Sequence, residues 1–129
     1  MPIMRDDMAT VPLYITAGDD WDREAEFTDD DGPIDITGST FEAKVFVERD
    51  TTDDALATIT MSVTDGPAGL ASMSLASADT TALGADPQAN DGSNEANAIT
   101  LWYEVRWTDS GGKKRHPFGG PVIVGSSTL

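Results

Sequence analysis

Few side chains in this sequence could do chemistry. His116 is the single histidine and there is no cysteine. That excludes a thiolate nucleophile, disulfides and cysteine-held zinc, and leaves acid–base work to His116 or to carboxylates. His116 stands between Arg115 and Pro117, with no serine or acid placed as a nucleophile or an orienting partner. It reads as a structural histidine, exposed or half-buried. The run Asp29-Asp30-Asp31-Gly32 invites a calcium loop, but an EF-hand needs its ligands at alternating positions before the glycine, and Phe27 takes the place of the first aspartate. A solvated acidic turn is the first reading of that run. A divalent cation among the acids from Asp19 to Asp35 is the second, because clustered carboxylates raise one another's pKa and a cation relieves them. Asp86, Asn90, Asp91 and Glu95 pose the same alternatives. Asp22, Glu24 and Glu26 project from one face of an extended segment about 7 Å apart, a spacing that glycosidases also use. No aromatic groove surrounds them, so a solvated acidic face is the better reading. No glycine-rich segment leads from a strand into a helix, which leaves nucleotide binding unsupported. The sequence therefore predicts no enzyme, no catalytic residues, no cofactor and no resident metal.

The elements that carry these residues are strands. The chain has 129 residues, one domain's worth, and 39% of them are hydrophobic, enough for a core. Its 8 basic and 23 acidic residues give a formal charge of −15, a field that repels nucleic acid and anionic membrane surfaces. No stretch reaches the roughly 20 apolar residues of a membrane span, and residues 1–8 lack a basic start followed by an apolar block. Period-2 alternation marks residues 21–27, 41–47, 57–63, 71–75 and 99–107, and the β-branched run 11–16 precedes them. Residues 34–36 read as a short strand or bend. Residues 113–118 read as a polar returning strand, which Gly119-Gly120-Pro121 breaks or bulges before 122–124. Residues 77–83 allow a single helical turn that plugs one end of a sheet pair, and 84–97 form a long polar loop.

Seven or eight short strands with regular turns and almost no helix predict an all-β fold, an antiparallel immunoglobulin-like β-sandwich, with a small barrel as the alternative. Residues 1–10 are expected to be an extended arm and 11–129 a single sandwich domain. The expected core contains Trp21, Phe27, Phe41, Val45, Ile59, Met61, Leu75, Leu101, Tyr103 and Val105.

Several turns and strands occur in a familiar order. They are Gly18-Asp19-Asp20-Trp21 before a strand, Asp31-Gly32-Pro33-Ile34-Asp35-Ile36-Thr37-Gly38 leading into Phe41, Asp65-Gly66-Pro67-Ala68-Gly69, the segment from Leu75 to Leu83 with Thr80 and Thr81, Tyr103-Glu104-Val105, and Asp109-Ser110-Gly111-Gly112. This order resembles the small β-sandwich domains of tailed-bacteriophage virion proteins, especially the N-terminal domain of upper-baseplate proteins that fasten receptor-binding fibres to the tail. The resemblance spans residues 11–129 and implies a virion structural protein in tail or baseplate assembly or fibre attachment. In that family a long helical or fibrous part usually follows, whereas this sequence runs to Leu129. That difference admits capsid decoration and head–tail joining proteins as alternatives. A carbohydrate- or cell-surface-binding module on the same scaffold is the alternative of another class. The expected partners are other virion proteins and further copies of this chain, without nucleic acid or membrane.

Interface residues are expected where the pattern is broken. Phe46 and Trp102 fall on the polar faces of their strands, where large apolar groups are either covered by loops of the second sheet or left for a partner. Lys113, Lys114 and Arg115 form a basic cluster in an acidic molecule and stand beside or opposite Arg106. They either blunt an exposed edge strand or meet the acidic face of a neighbouring subunit. Met4 and Met8 are adaptable apolar side chains in the arm.

Overall fold

A computed structural model describes residues 9–84 and 99–125. In chain order the elements are β1 (Ala9–Thr10), β2 (Leu13–Thr16), β3 (Trp21–Glu26), β4 (Thr28–Asp29), β5 (Gly32–Pro33), β6 (Thr40–Phe46), β7 (Ala57–Asp65), β8 (Leu70–Leu75), α1 (Ser77–Gly84), β9 (Ile99–Thr108), β10 (Lys114–Arg115) and β11 (Phe118–Gly125). Seven of the strands have four residues or more. They form two layers. The front layer runs β2-β11-β9-β6, and the back layer β7-β8-β3. Strand β7 joins them, since Ala57 to Ile59 pair with β6 while Thr60 to Asp65 pair with β8. The opposite side, between β3 and β1–β2, carries no ladder among the described residues, so the sheet does not close into a barrel. This is an immunoglobulin-like β-sandwich. Its ladders are antiparallel except that β1 and β2 run parallel to β11.

The core follows the alternation. Phe27, Val45, Ile59, Leu75, Leu101, Tyr103 and Val105 are buried, while Trp21, Phe41 and Met61 are half-buried and pack against them. Leu13, Ile15, Ile36, Ala43, Ala71, Met73, Leu83, Trp107, Val122 and Val124 are also buried. At one end Phe27 is ringed by Phe41, Trp107 and Phe118, with centroids 5.2, 5.6 and 5.9 Å away.

Four expectations need correction. Gly119-Gly120-Pro121 does not break the last strand, because Gly119 to Val124 pair continuously with β9. The irregularity falls instead on the first strand, where Val11 and Pro12 separate β1 from β2 opposite Gly120 and Pro121. Two imino acids without N–H groups thus meet where the parallel ladder is open. The polar returning strand shrinks to Lys114–Arg115. Residues 34–36 are not a strand; Gly32–Pro33 pairs with Thr28–Asp29 instead, and Ile36 is buried. The single helical turn is an eight-residue helix. There Thr80 and Thr81 hydroxyls donate to the Ser77 carbonyl at 3.1 and 2.8 Å, and Leu83 is buried beneath the sandwich end. Of the expected arm, Ala9 and Thr10 pair with Phe118 and Gly119; residues 1–8, with Met4 and Met8, lie outside the described residues, as do Asp86, Asn90, Asp91 and Glu95.

Candidate functional site

The outer face of the front layer collects the apolar residues that alternation sends away from the core. Register places Phe46 beside Trp102 and Trp102 beside Pro121. One step along, Ile123 lies between Thr100 and Tyr14. Tyr14 is 70% exposed, while Phe46, Trp102, Pro121 and Ile123 are half-buried. An apolar strip therefore crosses β2, β11, β9 and β6 at one end of the face. Phe46 and Trp102 were legible as breaks in the pattern. Tyr14, Pro121 and Ile123 were not, because their strands are short and only the ladder shows that they align.

The rest of that face is charged. The Trp102 indole N–H donates to Glu104 at 3.1 Å, and the Arg49 guanidinium lies 5.1 Å from the Trp102 ring centroid. Asp50, at φ 60°, turns the chain next to that arginine. Phe46, Glu48, Asp50, Thr51, Trp102 and Glu104 line a hollow of about 240 Å³. Further along, Glu42 accepts ion pairs from Lys44 at 3.3 Å and Arg106 at 3.5 Å. His116 joins these groups in a shallow depression of about 170 Å³. Exposed pairs of this kind hold side-chain orientation more than they add stability.

The basic residues do not form one strip. Arg106 lies on the outer face, whereas Arg115 pairs across from Trp107, stacks 4.7 Å from its ring centroid and binds Asp109 at 3.0 Å. Asp109 also accepts the Gly111 and Lys113 backbone N–H groups at 3.0 and 2.9 Å. Arg115 is thereby committed to its own turn, and only Lys113 and Lys114 remain as exposed cations at the hairpin tip.

The acidic segments resolve into turns. Asp29 accepts the Asp31 N–H at 2.8 Å, and Asp35 accepts the Thr37 N–H at 2.9 Å. Hydrogen bonds from the Thr37 hydroxyl and backbone hold the Asp35 carboxyl below the ordinary aspartate range. Among the described residues no three or more histidine or acid side chains gather closely enough to hold a metal ion. Burial pushes the Tyr103 phenol well above its usual value.

Comparison with known proteins adds little. No protein-family model matches the chain, and no curated protein matches it. Among solved structures, that of murine CRIg aligns over 91% of this chain and 92% of its own, at 10% identity and a TM-score of 0.37.

Proposed function

We propose that this chain is a non-enzymatic structural component of a tailed-phage virion, acting in tail or baseplate assembly or in fibre attachment. The observation that carries the assembly reading is the apolar strip of Tyr14, Ile123, Pro121, Trp102 and Phe46 on the outer front face, rimmed by Glu42, Lys44, Glu104 and Arg106. An apolar centre with a charged rim is the anatomy of a protein–protein contact. The order of turns described above supports the phage assignment. Capsid decoration and head–tail joining use the same kind of contact and stand as alternatives within the class. A sugar-binding platform fits less well, because Arg49 already lies over the Trp102 ring that a sugar would stack on.

Locating the chain in purified particles of the phage that encodes it, by mapping density, tests the reading. Density in the tail or baseplate supports it, and density on the capsid surface moves the role to decoration. Absence from particles, together with tight binding on a glycan array, overturns it. The double variant Phe46→Ser, Trp102→Ser is expected to fold and to be left out of particles.

A further inference from the structure

Strand β3 is the edge of the back layer, and among the described residues nothing pairs with its far side. The Phe27 N–H donates to the Gly69 carbonyl, and the register pairs Ala25 with Ala71 and Arg23 with Met73. In an antiparallel ladder hydrogen-bonded positions alternate. The N–H groups of Asp22, Glu24 and Glu26 therefore point away from β8. Glu24 and Glu26 line a groove of about 340 Å³ between β3 and β1–β2, whose floor includes Leu13, Phe27, Met73 and Phe118, and Asp22 lies just past its end. A hydrogen bond spans it, from the Arg23 guanidinium to the Pro12 carbonyl at 3.3 Å. An open backbone edge above an apolar floor is a site for an added strand.

We propose that the occupant is residues 1–8 of a second copy of this chain, added antiparallel to β3. One register satisfies the apolar pattern and sets two of the three facing charged pairs at opposite sign, the third being Asp7 opposite Asp22. With Arg5 opposite Glu24, Asp6 falls opposite Arg23, and Met4 and Met8 fall opposite Ala25 and Trp21, the two residues of β3 that pack on the core. A one-residue slip would turn both methionines outward. The same register excludes the chain's own arm. Ala9 pairs with Phe118, which touches Phe27, so Ala9 sits at the far end of β3 from Trp21. About 17 Å of strand separates those ends, and the step from residue 8 to residue 9 spans only about 3.8 Å. A second β3 is a poor occupant, because its Asp22, Glu24 and Glu26 would face their own kind. The inference rests on the assembly reading and names one contact within it.

The test uses the full chain between about 10 μM and about 1 mM, reading amide exchange at Asp22, Glu24 and Glu26 alongside mass by light scattering. The expected result is exchange about tenfold slower at these three amides as mass rises, with both effects lost in the Met4→Asp, Met8→Asp variant. Protection that does not change with concentration would mean closure within one chain and overturns the proposal. Rising mass with these amides unprotected would also overturn it, while leaving the assembly reading intact. If neither changes, strand exchange is wrong, and particle localisation decides the assembly reading separately.

Discussion

The Tyr103 hydroxyl donates a 2.6 Å hydrogen bond to the Val11 carbonyl, 92 residues earlier in the chain. The bond ties the centre of β9 to the interruption between β1 and β2, where the parallel ladder has no pairs of its own. Tyr103→Phe leaves that carbonyl without its partner and is expected to cost about 1–2 kcal/mol in denaturant unfolding. The phenol is also a pH probe. Its folded pKa lies above the unfolded value of 10.0, so its contribution is complete below pH 10 and is lost as pH rises beyond it. Stability should fall above about pH 10 in the parent and fall less steeply in Tyr103→Phe.

Gly120 makes that junction possible. Its φ is +153°, and a Cβ there would lie 3.0 to 3.2 Å from the Val11 backbone. Gly120→Ala is expected to push β1 from β11 and cost roughly 2 kcal/mol or more. The expected signature is faster amide exchange at Ala9 and Val11, whose N–H groups donate to Pro117 and Gly119. Unchanged exchange and stability would show that the close approach is not required.

Thr80 fastens α1 to the turn after β2. Fully buried, its hydroxyl accepts the Gly18 N–H at 3.0 Å and donates to the Asp19 carbonyl at 2.8 Å. Thr80→Val keeps the shape and removes these bonds along with the weaker share of the hydroxyl proton at the Ser77 carbonyl, leaving the Gly18 N–H and the Asp19 carbonyl without this partner. The expected cost is about 2–3 kcal/mol by thermal or denaturant unfolding, against less than about 0.5 kcal/mol for the exposed Thr81→Val.

Asp35 should titrate low. Its folded pKa is depressed, so its contribution is present above the unfolded aspartate value of 3.8 and is lost as pH falls through the folded one. Carboxyl NMR should place its midpoint below that value. Thr37→Ala removes the hydroxyl, the larger cause, and should move the midpoint upward while the backbone bond remains.

The Asp109 turn holds Arg115 in place. Replacing Asp109 with Ala removes one ion pair and two acceptor contacts to backbone N–H groups. The expected cost is about 1–2 kcal/mol, accompanied by a change in Trp107 fluorescence as the guanidinium leaves its ring.

By itself the sequence determined the long alternating strands and which face of each is buried, because side-chain direction alternates with every residue and one polar–apolar period is enough to orient a strand. Phe41 to Val47 and Leu101 to Trp107 were readable for that reason, and so were Phe46 and Trp102 as misplaced apolar groups. Local turn chemistry at Asp65 to Gly69 and Asp109 to Gly112 was readable too, since aspartate and glycine act within a few residues. Tertiary structure alone decided what pairs with what. Gly119-Gly120-Pro121 carries the composition of a break, yet its neighbours on β9 keep it in the ladder, and the interruption appears across the sheet at Val11 and Pro12. The helix lengthened because Leu83 found the sandwich end and Thr80 found Gly18 and Asp19, contacts that no local propensity encodes. The outer apolar strip and the open edge of β3 are likewise products of register and strand order. Those depend on residues far apart in the chain, brought together by burial of a shared core.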